Sequence, residues 1–213
     1  ATSLLLNGLA TPDEIPSQTS QTGKFLTTDG SAASWGTVAP AGLVLLGTVT
    51  ANGVSNVLIS GLFSSTYDVY KIMATNLSSK GGQSLPLYLR YGPSGSIFTS
   101  AYEWRMNQNQ SSNSTYAAEN SSSNSSVIQI LNYMGDVTNY PSDRSSCELT
   151  IVDPLSTTSQ TTVTWIGVVN RTNIQTVNGA GCHEVTTATV DTDIQMRSGD
   201  DFYGTFRIYG VAQ

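Results

Sequence analysis

The feature that most constrains this chain is a succession of short apolar runs, each bounded by Gly, Asn, Ser or Pro. The runs are Leu43–Thr50, Val54–Ile59, Tyr67–Asn76, Leu85–Tyr91, Val127–Leu131, Cys147–Val152, Thr161–Asn170, Thr186–Met196 and Phe202–Val211. Several alternate cleanly. Leu85, Leu87, Leu89 and Tyr91 share one parity against Pro86, Tyr88 and Arg90, and Phe202, Phe206 and Ile208 share another. Successive side chains of a strand point to opposite faces, so alternation over about nine runs predicts an antiparallel β-sandwich of jelly-roll type. Pro86 has no amide proton to donate and marks an edge or a strand start. No stretch carries the period of a long helix. The polar stretch from Tyr102 to Ser126, rich in Asn and Ser, reads as one long loop.

Residues 1–41 break this pattern. They hold Pro12, Pro16 and Pro40 and only isolated apolar anchors: Leu4 to Leu6, Ile15, Phe25, Leu26 and Trp35. So little apolar surface does not offset the backbone entropy of ordering, so the segment needs something else to hold it. The expected fold is therefore all-β: an extended N-terminal arm (1–41) followed by one sandwich domain (42–213), large enough to bury its own core.

Composition narrows the partners. Charged residues make up 11% of the chain, less than half the roughly 25% usual in soluble domains. The formal net charge is -6, with nine basic residues scattered along the chain. Nucleic-acid binding needs a basic stripe to displace counterions, so it is not expected. The longest apolar stretch, Leu43 to Leu46, is far short of a membrane span, and no insertion is expected. Leu4-Leu5-Leu6 is too short for a secretory signal, and Ala1 fits removal of an initiator Met. The Asn-x-Ser/Thr matches at Asn76, Asn113, Asn124 and Asn170 are then chance products of an Asn- and Ser-rich chain. Synthesis in a reducing compartment favours free thiols at Cys147 and Cys182 over a single disulfide.

One segment carries a family resemblance. Pro16-Ser17-Gln18-Thr19-Ser20-Gln21-Thr22-Gly23-Lys24-Phe25-Leu26-Thr27-Thr28-Asp29-Gly30-Ser31-Ala32-Ala33-Ser34-Trp35 resembles a stretch common in the tail fibres of tailed bacteriophages. There, a Gly-Lys-Phe-Leu-x-Thr-Asp-Gly-x-x-x-x-Trp sequence sits near the attachment end or between fibre modules. The ending Phe206-Arg207-Ile208-Tyr209-Gly210-Val211 is similar to the closing strand of many fibre C-terminal domains. The resemblance implies a homotrimeric virion protein whose arm binds other virion proteins and whose distal domain meets a host-surface ligand, often a glycan. Asp29-Gly30 supplies a turn, and Leu5, Ile15, Phe25, Leu26 and Trp35 are the expected oligomerisation and attachment residues.

Catalytic and metal readings find little footing. His183 is the only histidine, in Gly181-Cys182-His183-Glu184. Neighbouring strand residues face opposite ways, no Cys-x-x-Cys accompanies them, and no metal or other cofactor is expected. A serine triad would also have to use His183, without a Gly-x-Ser-x-Gly elbow. Paired-carboxylate glycan cleavage would draw on Glu103, Glu119, Asp136, Asp143, Glu148, Asp153, Asp191/Asp193 or Asp200/Asp201, which read as solvated turn acids. Asp191 and Asp193 share a strand face but lack a calcium-loop pattern. Glycan binding is better founded, since sugar rings stack on aromatics while amides and guanidinium groups bond their hydroxyls. Tyr102, Trp104, Arg105, Asn107, Asn109 and Tyr116 bring such groups together. The competing reading makes Tyr102 and Trp104 strand residues that pack under a neighbouring subunit. The function expected is a non-enzymatic fibre or receptor-binding subunit of the virion. A capsid decoration or head fibre and a carbohydrate-binding lectin are the alternatives.

Overall fold

The structure, a computed structural model, describes residues 16–29, 31–37, 42–81, 85–110, 116–138, 142–171 and 173–212. The chain divides into two compact units, Ala1–Ala41 and Gly42–Gln213.

In the first unit, strands β1 (Phe25–Thr28) and β2 (Ala33–Gly36) pair antiparallel with Leu26 opposite Trp35. The Asp29 side chain makes the turn: its Oδ1 accepts from the amides of Ser31 at 2.8 Å and Ala32 at 2.9 Å. These two bonds hold the carboxyl below the usual range. The Trp35 indole donates to the Pro16 carbonyl at 3.0 Å, tying the entering chain to the hairpin. Phe25 and Leu26 remain 45% and 47% exposed. Leu5, Ile15 and Gly30 lie outside the described residues.

The second unit is all-β. Its strands are β3 (Gly42–Val54), β4 (Asn56–Ser60), β5 (Val69–Ser79), β6 (Leu87–Gly92), β7 (Tyr102–Gln110), β8 (Tyr116–Ser125) and β9 (Ile128–Leu131). There follow β10 (Gly135–Asp136), β11 (Ser145–Val152), β12 (Thr162–Asn170), β13 (Ile174–His183), β14 (Asp191–Met196) and β15 (Phe202–Ala212). A nine-stranded sheet runs β3-β15-β5-β11-β12-β13-β7-β8, with β10 added parallel to β5; a four-stranded sheet runs β4-β14-β6-β9. All other pairings are antiparallel.

The core takes the inward-facing residues of both sheets: Ile72, Leu149, Trp165, Val177 and Phe206 from the large one, Ile59, Leu89 and Ile194 from the small one. This is an antiparallel arrangement consistent with a β-sandwich. The two sheets hold nine and four strands. Pro86 marks a strand start rather than an edge, since β6 is flanked by both β14 and β9.

The stretch 102–126 is a correction: its described residues form the antiparallel pair β7–β8 instead of one long loop. Its Asn and Ser residues suppress the alternation signal, but Tyr102, Trp104, Met106 and Gln108 keep a common parity and are buried. Gln108 bonds to Gln175 of β13 inside the sandwich, satisfying part of a buried amide that strand propensity disfavours.

On the outer side of the small sheet, Asp193 is 2% exposed. It receives Arg90 Nη2 at 2.6 Å, Arg90 Nε at 3.2 Å and Asn56 Nδ2 at 3.0 Å. Asp191 accepts from Ser60 Oγ at 2.6 Å and the Gly95 amide at 2.8 Å. Both carboxylates therefore serve as internal hydrogen-bond acceptors, the arrangement that buried charge requires.

Candidate functional site

Strands β12, β13 and β7 are neighbours in the large sheet, and their register fixes which side chains share its outer face. Thr162 faces Cys182, which faces Glu103; Thr164 faces Ala180, which faces Arg105; Ile166, Asn178 and Asn107 form the next row, and Val168, Thr176 and Asn109 the next. Three of the expected glycan-binding residues, Arg105, Asn107 and Asn109, thus stand on one solvent-facing surface.

Tyr102 and Trp104 do not join them. They occupy the opposite parity of β7 and are 0% and 8% exposed. The Tyr102 hydroxyl accepts from the Tyr91 amide at 2.7 Å and donates to the Tyr91 carbonyl at 3.1 Å. Burial pushes this phenol up to about 12. Both are thus packed strand residues, buried in the chain's own core rather than under a neighbouring subunit. Tyr116 opens β8 opposite Asn109; its side chain lies outside those described.

At one end of this face the three strands, with Ser121 of β8, line an open depression of about 580 Å³. Ala180 and Cys182 lie at its centre because β13 carries short side chains there, with the longer Arg105 and Glu103 on one side and the hydroxyls of Thr164 and Thr162 on the other. Among the described residues neither Arg105 nor Glu103 enters an ion pair. Farther along, Ile166, Val168 and Ile174 are 64%, 40% and 57% exposed, an apolar stripe beside the amides.

The two faces of β13 also separate Cys182 from His183. His183 is buried between the rings of Phe98, stacked at 4.3 Å, and Tyr102 at 4.9 Å. Burial lowers its pKa from the ordinary value. Both cysteines are free: Cys147 is buried in the core, where burial pushes its thiol up to about 12. Cys182 borders the depression, and burial with the carboxylates of Glu103 and Glu184 raises its thiol too.

Thr162, Thr164, Ala180 and Cys182 enter the site only through pairing between strands distant in sequence. Their signal, outward parity on predicted strands, was present for Thr162 and Thr164, but their neighbours across the sheet follow from register alone. Compared with family models, with curated proteins and with solved structures, the chain finds no match.

Proposed function

We propose that this chain is a structural virion protein of a tailed bacteriophage, a tail-fibre or receptor-binding subunit that acts by binding rather than catalysis. In this reading residues 1–41 form the attachment arm, three copies associate, and the β-domain meets a host-surface glycan through the outer face of β12, β13 and β7. The observation that carries the reading is the hairpin of residues 25–36. The segment resembling phage fibre sequences closes on an Asp29 turn, yet leaves Phe25 and Leu26 nearly half exposed.

A hairpin of two four-residue strands is marginal by itself, and exposed aromatic and aliphatic residues on it suit burial against another chain. The exposed amides, guanidinium and hydroxyls of the large sheet suit a hydroxyl-rich ligand, and its apolar stripe suits association between copies. Competition for adsorption tests the proposal. Host cells preincubated with the purified chain should take up fewer phage particles. Undiminished adsorption, with no chain retained on the cells, would contradict it.

A further inference from the structure

The depression on the outer face of β12, β13 and β7 has a built floor and rim. Ala180 lies between Arg105 and Thr164, and Cys182 between Glu103 and Thr162, so two small side chains are flanked by the long Arg105 and Glu103 on one strand and by two threonine hydroxyls on the other. Its volume of about 580 Å³ falls within the range of small-ligand pockets, about 300–1,000 Å³. The rim combines a cation, an anion and two hydroxyls. The charges of Arg105 and Glu103 cancel, and neither is committed to an ion pair among the described residues.

A strongly charged ligand would meet one attractive and one repulsive group here, on a chain of net charge -6. A neutral polyol meets only matches. Its hydroxyls donate to the Glu103 carboxylate and accept from Arg105, and charge-assisted bonds of this kind are the stronger class. The C–H face of a sugar ring can rest on the Ala180 methyl and the Cys182 side chain. The geometry points to this depression as a subsite for one pyranose ring of a neutral saccharide, with Glu103 and Arg105 as its polar clamp. The inference rests on the glycan-binding reading above and assigns it a place and a sugar class.

The experiment uses the full chain, an array of neutral and acidic glycans, and two variants. Ala180→Tyr fills the floor from a solvent-facing strand position, and Glu103→Gln removes the anionic acceptor; equal unfolding midpoints establish that both fold. A neutral saccharide should bind the unaltered chain, bind each variant at least tenfold more weakly, and slow iodoacetamide alkylation of Cys182. Undiminished binding by Ala180→Tyr with unchanged Cys182 alkylation would overturn the subsite while leaving glycan recognition elsewhere intact. Binding confined to acidic glycans would overturn the assigned sugar class. An array on which the unaltered chain binds nothing would overturn both the subsite and glycan recognition.

Discussion

The Trp165 indole lies across Gly179 on the neighbouring strand, so close that a Cβ on Gly179 would fall 2.2 Å from the indole Cζ2. Gly181, two residues on, lies close to β7: a Cβ there would fall 2.8 Å from the Glu103 carbonyl oxygen and 3.0 Å from the Trp104 Cβ. The inner face of β13 is thus kept bare for the Trp165 indole and for the close approach of β7, and the outer face carries the depression. Gly179→Ala should destabilise the domain by about 1–3 kcal/mol, the usual range for overpacking a core. Urea unfolding followed by tryptophan fluorescence measures it; an unchanged midpoint would mean that Trp165 moves aside freely.

The Arg90–Asp193 pair should be among the most sensitive polar contacts. Asp193→Ala takes the carboxylate from Arg90, leaving its guanidinium only the Gln195 side-chain oxygen, and frees the Asn56 amide. Breaking a buried pair costs roughly 3–5 kcal/mol, and the partial exposure of Arg90 places this one at the lower end. Calorimetry of the variant should show a clear drop in Tm. A double variant with Arg90→Leu should recover part of the loss, since no buried charge is then left unpaired.

His183 gives the fold a pH dependence of definite sign. Its folded pKa lies below the ordinary 6.5, because burial between Phe98 and Tyr102 disfavours the imidazolium. The unfolded chain therefore binds the proton first as pH falls. The contribution is complete well above pH 6.5 and is lost as pH drops through 6.5 toward the folded value, by at most about 1.4 kcal/mol per pH unit. Urea midpoints at pH 7.5 and 5.5 should differ accordingly in the unaltered chain, and His183→Phe should flatten the difference. An equal slope in the variant would assign the dependence to other groups.

The two thiols should differ in reactivity. Cys147 is sealed in the core and Cys182 borders an open depression, so iodoacetamide at mildly alkaline pH should modify Cys182 alone. Cys147 should become reactive only in denaturant. Peptide mass mapping reads the outcome, and early modification of Cys147 would contradict the packing described.

Much of the architecture was legible where alternation was strong. Each of the nine apolar runs overlaps a strand, and the parity of Leu87, Leu89 and Tyr91 and of Phe202, Phe206 and Ile208 points inward as the pattern requires. Strands β7, β8 and β13 escaped notice for a physical reason. Inner positions of β7 and β13 include Gln108, Gln175, Gly179 and Gly181, where hydrogen bonding, the Trp165 indole and the close approach of β7 replace the apolar side chains that mark a strand. The site was half visible. Arg105, Asn107 and Asn109 stand on the surface, whereas Tyr102 and Trp104 share parity with buried Met106. Counting parity within β7 separates the two sets, but the companions on β12 and β13 are set by long-range pairing that no local pattern encodes.

Immunogold electron microscopy with an antibody against this chain tests the account at its centre. Under the proposed role, gold should mark the tips of tail appendages on purified particles, and should vanish from particles assembled with a chain lacking residues 16–37. Particles that bear no label, although the same antibody detects the chain in infected cells, would contradict a virion role outright.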